Sequence, residues 1–152
     1  MDFTIREMKD RDKLIWAQMR AQLWPDEASQ THAEAIDKIL QDKDVWGFIA
    51  ETSYAAPAGF AEAALRKYAN GCESQPVPFL EGIWVKPQFR RQGVGRRLLK
   101  HLETFLAARG FHEIGSDTQI DNRISQAAHL GWGFSETERV VYFRKIWNIA
   151  HP

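Results

Sequence analysis

GIWVKPQFRRQGVGRRLL, residues Gly82–Leu99, decides how the rest of the chain is read. Ile83, Trp84 and Val85 favour extended backbone. Pro87 ends the strand, since it has no N–H to give to a ladder. After the basic glycine turn Arg90-Arg91-Gln92-Gly93-Val94-Gly95, apolar residues at Val94, Leu98, Leu99 and Leu102 recur one helical turn apart and predict a helix with one buried stripe. A turn of this kind leaves backbone N–H groups unpaired at the helix start. Gly93 and Gly95 let an anion approach the backbone, and the amides, the positive helix end and the arginines suit a pyrophosphate. Spacing alone also fits a plain glycine turn before a solvated basic helix.

The 152 residues suffice for one domain with a core, so one domain over residues 1–152 is expected. Apolar residues make up 44% and charged residues 26%, which fits a globular protein and argues against disorder. No apolar run reaches membrane-spanning length, and Met1-Asp2-Phe3-Thr4 does not resemble a signal peptide. Cys72 is the only cysteine, which excludes an internal disulfide and a cysteine-built metal site; no metal and no membrane partner are expected, and a cytoplasmic setting is. The net charge is zero, but Lys86, Arg90, Arg91, Arg96, Arg97 and Lys100 form an all-positive run, while acids lie elsewhere. A nucleic-acid module fits poorly, because no aromatic interleaves that run. A dinucleotide-binding reading fails for want of the third glycine and a suitably placed acid.

Taken in order, Phe3–Arg6 reads as a strand. Leu14–Trp24 reads as a helix with Leu14, Ile15, Met19 and Leu23 on its apolar side, stopped by Pro25. Ser29–Leu40 reads as a second helix with Ser29 or Thr31 as N-cap. Val45–Ala50, Pro57–Tyr68 and Pro78–Val85 read as strands, and the helix Gly95–Ala108 stops at Gly110. Glu113–Asp117 is expected as a strand, a helix capped by Asp121 or Asn122 runs to about Gly131, and Phe134–Trp147 is expected as a last strand. This order predicts an α/β fold with a mixed central sheet flanked by helices.

Val85, Pro87, Arg90, Gly93 and Gly95 form a Val-x-Pro-x-x-Arg-x-x-Gly-x-Gly pattern that resembles the acetyl-coenzyme A signature of GCN5-related N-acetyltransferases (GNAT), as does the element order. The resemblance implies a GNAT-like fold and acetyl-CoA as cosubstrate. Ile83, Trp84 and Val85 would carry the pantetheine arm, and Arg91, Gln92, Gly93, Val94, Gly95 and Arg96 the pyrophosphate. Asn122, Ser125, His129 and Gly133-Phe134 are similar to the family's last helix, so Asn122 would bond the coenzyme. His129 stands where the family usually has a tyrosine that protonates the departing thiolate; His129 or Tyr142 is then the candidate acid, though a helix histidine is often structural.

Acetyl transfer needs a neutral amine and an N–H donor for the oxyanion. Glu81 lies on the expected central strand, where a carboxylate is costly unless used or paired. It is the candidate base or amine-binding group, with a structural ion pair to Arg66 as the alternative. Strand alternation places Phe79, Glu81 and Ile83 on one face and Leu80, Gly82 and Trp84 on the other. Asp117 can simply cap a turn, Glu138 face solvent, Trp24 sit in the core and Tyr68 pack a loop. Yet Gln22-Leu23-Trp24-Pro25, Tyr68 with Asn70-Gly71, Phe79–Ile83, Ser116-Asp117-Thr118 and Glu136–Val140 together resemble the bacterial aminoglycoside 6'-N-acetyltransferases. That resemblance implies an aminoglycoside substrate, antibiotic resistance, a homodimer, and a drug pocket of Trp24, Tyr68, Glu81, Asp117 and Glu138. A GNAT enzyme acting on a polyamine or protein amine, or a catalytically silent coenzyme-binding domain, is the alternative.

Overall fold

The computed structural model of the chain describes residues 1–150. Strand β1 (Phe3–Glu7) leads through a short turn to helices α1 (Lys13–Leu23) and α2 (Ser29–Gln41). Strands β2 (Val45–Thr52), β3 (Pro57–Arg66) and β4 (Val77–Val85) follow, then helices α3 (Val94–Ala107) and α4 (Arg123–Gly131). The strands lie in chain order as an antiparallel sheet, β1-β2-β3-β4.

Each sheet face is covered by a different helical layer. Leu98, Leu99, Leu102 and Leu106 of α3 bury their stripe against Phe48, Ala50, Ala61, Ala63 and Leu80. The alanines of β3 are small because α3 lies close over them. On the other face Trp16, Met19 and Ile36 from α1 and α2 pack on Ile49 and Phe60. The expected stripe of α1 is therefore shifted. Leu14 is exposed, whereas Trp16, which the pattern passed over, is fully buried. The start of α2 also departs from expectation. Ala28, in extended backbone, is the N-cap, and neither Ser29 nor Thr31 caps the helix.

Two expected strands are absent. Between Glu113 and Asp117 only Gly115 pairs, by a parallel bridge to Phe79. Leu80 N–H donates to Gly115 O at 2.8 Å and Gly115 N–H to Pro78 O at 2.9 Å. The segment from Phe134 to Trp147 forms no strand, and Val141, Tyr142, Phe143 and Trp147 in it are exposed. Its β-branched and aromatic residues suit a pleated surface, but a strand exists only beside a hydrogen-bonding neighbour, and among the described residues this segment has none.

The face assignment along β4 is also corrected. The β3–β4 register pairs Glu62 with Gly82 and Ala63 with Leu80, leaving Glu81 as the extra residue of a bulge. A bulge inverts the alternation beyond it. Leu80 thus shares the α3 face with Ile83 and Val85, while Trp84 packs on the α1 side.

Candidate active site

The turn before α3 has the form that the sequence required. Arg91 (φ 62°) and Gly93 (φ 82°) are left-handed. Gly93 is the N-cap, and a Cβ built on it meets nothing within 4 Å, so its backbone faces open space. Arg97 N–H donates to Gly93 O at 3.0 Å and closes the first helical turn. Among the described residues no acceptor meets the N–H groups of Gly93, Val94, Gly95 and Arg96. Such a ring of free amides on a positive helix end is an anion cradle. Arg90 turns away from it and donates to Val85 O at 2.8 Å, tying the turn to the end of β4. Arg96 donates to Gly131 O at 2.7 Å, and Gly95 packs against Trp132, so α3 and α4 are joined beside the cradle.

Beyond the bridge at Phe79 the outer edge of β4 has no strand beside it among the described residues. Residues Glu81–Val85 thus offer unpaired backbone groups along one side of a split between β4 and the segment after Gly115. An amide-bearing arm can pair there as an added strand does, and an N–H of the same edge can meet an oxyanion.

Glu81, lifted out of the ladder by the bulge, points to Arg66. Arg66 Nε and Nη2 donate to its two carboxylate oxygens at 2.9 and 2.7 Å. The guanidinium also lies 3.6 Å from the centre of the Phe79 ring. Glu81 is the largest cause of a raised Arg66 pKa; burial opposes it, and Asp117 and the Tyr142 phenol group act from farther off. Asp117 and Tyr142 therefore lie within electrostatic reach of the Glu81 site. Tyr68 follows Arg66 by two positions and is exposed. Glu138 is exposed on the tail, and no side-chain bond joins it to this group among the described residues.

Trp24 packs against the other face of the sheet, at Gly82. A Cβ built on Gly82 would lie 2.5 Å from Trp24 Cζ2 and 2.8 Å from Leu23 Cδ2, so only glycine admits the indole there. The indole is held between Phe60, edge-on at 6.2 Å, and the Arg20 guanidinium at 4.6 Å. Arg20 is fixed in turn by both carboxylate oxygens of buried Glu62, which also accepts from Trp16 Nε1 at 2.7 Å. Arg20 Nε donates to His32 Nδ1 at 3.2 Å. Burial pushes the Glu62 carboxyl above its usual range, although Arg20 and Trp16 pull the other way. Sequence reasoning missed this network. Its signal was a carboxylate inside the otherwise uncharged run Gly59–Ala64 and an arginine one helical turn before Trp24.

On the far side of the split, Asn122 caps α4 by accepting from Ser125 N–H at 3.0 Å. His129 Nδ1 lies 2.7 Å from the carbonyl of Ser125 and its Nε2 2.7 Å from Ser116 Oγ. Tyr142 is well exposed on the tail. Ser116 entered the sequence reading only as part of a motif, and its contact with His129 could not be seen there. Among the described residues no group of three potential metal ligands occurs, and no helix is long and apolar enough to cross a membrane.

Comparison with known proteins agrees with this geometry. Residues 10–134 match the model of the Acetyltransferase (GNAT) family, a match that stops where the irregular tail begins. The aminoglycoside N(6')-acetyltransferase type 1 of Salmonella enteritidis is 42% identical over 142 residues, 93% of this chain and 97% of the relative. The structure of AAC(6')-Iy in complex with the bisubstrate analog CoA-S-monomethyl-acetylneamine superposes with a TM-score of 0.90 at 40% identity, covering 96% of this chain and 99% of that one. The same enzyme in complex with CoA gives 0.89 at 41% identity, with 95% of each chain covered. An amide cradle on a helix start, a split beside β4 and this likeness along nearly the whole length agree: the chain belongs to the GNAT acetyltransferase family, beside the type 1 aminoglycoside N(6')-acetyltransferases.

Proposed function

We infer that the chain is an aminoglycoside 6'-N-acetyltransferase that uses acetyl-CoA and so confers resistance. Its likeness along more than nine-tenths of its length to relatives of that name carries this conclusion. We read residues 1–152 as one acetyltransferase domain working in the cytoplasm.

The chemistry assigned to each part follows from its geometry. The amides of Gly93–Arg96, with Arg91 and Gln92, receive the pyrophosphate. The free edge Ile83–Val85 pairs with the pantetheine amides, and Asn122 meets the coenzyme from the start of α4. Glu81 receives the 6'-ammonium and takes its proton, directly or through water. Because both its oxygens are engaged by Arg66, the incoming ammonium competes with that guanidinium. Trp24 and Tyr68 supply faces for sugar rings, and Asp117 and Glu138 supply further charge for a polycation. Protection of a susceptible bacterium against a drug with a 6'-amine, and not against one with a 6'-hydroxyl, is the expected result. No protection against either, from a protein that still binds acetyl-CoA, would favour a polyamine or protein amine as acceptor. Gly93→Glu is expected to abolish coenzyme binding by calorimetry while the fold persists.

The homodimer expected from the sequence resemblance draws support from the tail. Val141, Tyr142, Phe143, Ile146 and Trp147 are 72–91% exposed, an apolar run that a second copy would cover. Homodimers are therefore expected in sedimentation of the full chain, and monomers after removal of residues 136–152.

A further inference from the structure

Ser116 is the first residue past the last pairing of β4 with its neighbour, at the vertex of the split. Its hydroxyl is not free to turn at random, because it is bound to His129 Nε2 at 2.7 Å. The protonation pattern of this contact follows from the other side of the ring. His129 Nδ1 lies 2.7 Å from the Ser125 carbonyl, which can only accept, and 3.3 Å from Ser125 Oγ, which can do either; the shorter carbonyl contact assigns the hydrogen to Nδ1. In the neutral ring Nε2 is then the acceptor and Ser116 O–H the donor. In the imidazolium both nitrogens donate, Ser116 Oγ accepts from Nε2, and the serine proton turns outward. The Ser125 bond is kept in both states, so the ring changes charge without moving. Trp132 and Phe134, with ring centres at 5.4 and 5.1 Å, hold it in place.

We propose that Ser116 and His129 form a two-proton relay in which the Ser116 hydroxyl is the group that protonates the departing thiolate of coenzyme A. The proposal rests on the acetyltransferase reading above. His129 cannot present Nε2 to a sulfur atom without giving up its bond to Ser116, whereas Ser116 directly follows Gly115, the last residue bridged to β4, where the split opens. As the tetrahedral intermediate collapses, the C–S bond breaks and its electron pair goes to sulfur. Sulfur takes the proton of Ser116 Oγ, and Oγ takes the proton of His129 Nε2. The ring is left neutral with its Nδ1 hydrogen on the Ser125 carbonyl and is recharged from solvent. The acceptor ammonium loses two protons over the cycle, so one is balanced by the new thiol and one is released.

The test is single-turnover acetyl transfer to a 6'-amino aminoglycoside, which isolates the chemical step from product release. Ser116→Ala is expected to slow it about 10- to 100-fold with coenzyme affinity unchanged, and Ser116→Thr to restore most of the rate. Ser116→Ala combined with His129→Phe is expected to be no slower than His129→Phe alone, as for two members of one unit. The wild-type rate in mixtures of H2O and D2O is expected to curve with deuterium content, because two protons move together. A Ser116→Ala rate within twofold of wild type, additive effects in the double variant, or a linear isotope dependence would each overturn the relay. A wild-type protein that binds acetyl-CoA but acetylates no 6'-amino aminoglycoside would overturn the function reading, and the relay with it.

Discussion

Two arginine–glutamate pairs on strand β3 have the same chemistry and opposite circumstances. Arg20 and Glu62 join α1 to the sheet with side chains 7% and 5% exposed. Arg66 and Glu81 join β3 to β4 with side chains 41% and 30% exposed. The first pair is packed among Trp16, Trp24 and His32, and the part-exposed Glu27 carboxylate reaches Arg20 only at 3.9 Å. The second stands at the bulge beside the split, where water or a substrate ammonium can reach it. Burial makes a charge pair a structural fixture, because a lone charge left behind has no solvent to receive it. Partial exposure makes a pair exchangeable, because solvent screens its attraction. One pair thus anchors Trp24, and the other is left exchangeable.

The largest expected effect breaks the buried pair. Arg20→Met should destabilise the fold by about 3–5 kcal/mol in urea unfolding, since Glu62 would be left buried and unpaired. Adding Glu62→Leu should recover most of that loss. A single-variant loss below about 1 kcal/mol would show that water already reaches the pair. Next, Glu81→Gln is expected to lower turnover about 100-fold if the carboxylate takes the amine proton. A change confined to KM would reassign it to binding alone. Arg66→Gln should alter stability by less than about 1 kcal/mol and lower the aminoglycoside KM a few-fold, because the ammonium no longer competes with a guanidinium. An increased KM would mean that Arg66 is needed to aim Glu81.

The smallest effect is in pH, and it separates two buried, paired acids by whether hydrogen bonding or desolvation dominates. The Arg6 guanidinium holds the Asp12 carboxyl below its ordinary range, bonding both oxygens at 2.8 Å. Stability from Asp12 is therefore present above the ordinary carboxyl range and lost as pH falls through the lowered value. Glu62 acts in the opposite sense. Its pKa is raised by burial, so its contribution is largest below the ordinary value of 4.5 and declines as pH rises through the raised value. Melting of wild type against Asp12→Asn should show a gap that narrows from about pH 6 to pH 3. A gap that widens on acidification would reverse the assignment.

Local chemistry made much of this molecule legible from its residues. The strand, the glycine turn and the helix of Gly82–Leu99 follow from a proline without an N–H, a left-handed position that only Gly93 fills readily, and an apolar repeat at helical spacing. Asn122 as the cap of α4 is likewise a short-range matter, a side chain reaching an amide three residues on. Motif likeness singled out Glu81 and Trp24 as candidates, and the structure adds which side chains they touch. What the tertiary structure alone decided is which groups meet. A bulge at Glu81 depends on the register of two strands, and it inverted the faces that simple alternation predicted along β4. The Arg20–Glu62 pair spans 42 positions and the Ser116–His129 contact 13, distances over which residue order carries no pairing information. The tail shows the same limit. Its residues favour a strand, yet a strand is a relation between two segments, and residues 135–150 have no partner within the described chain.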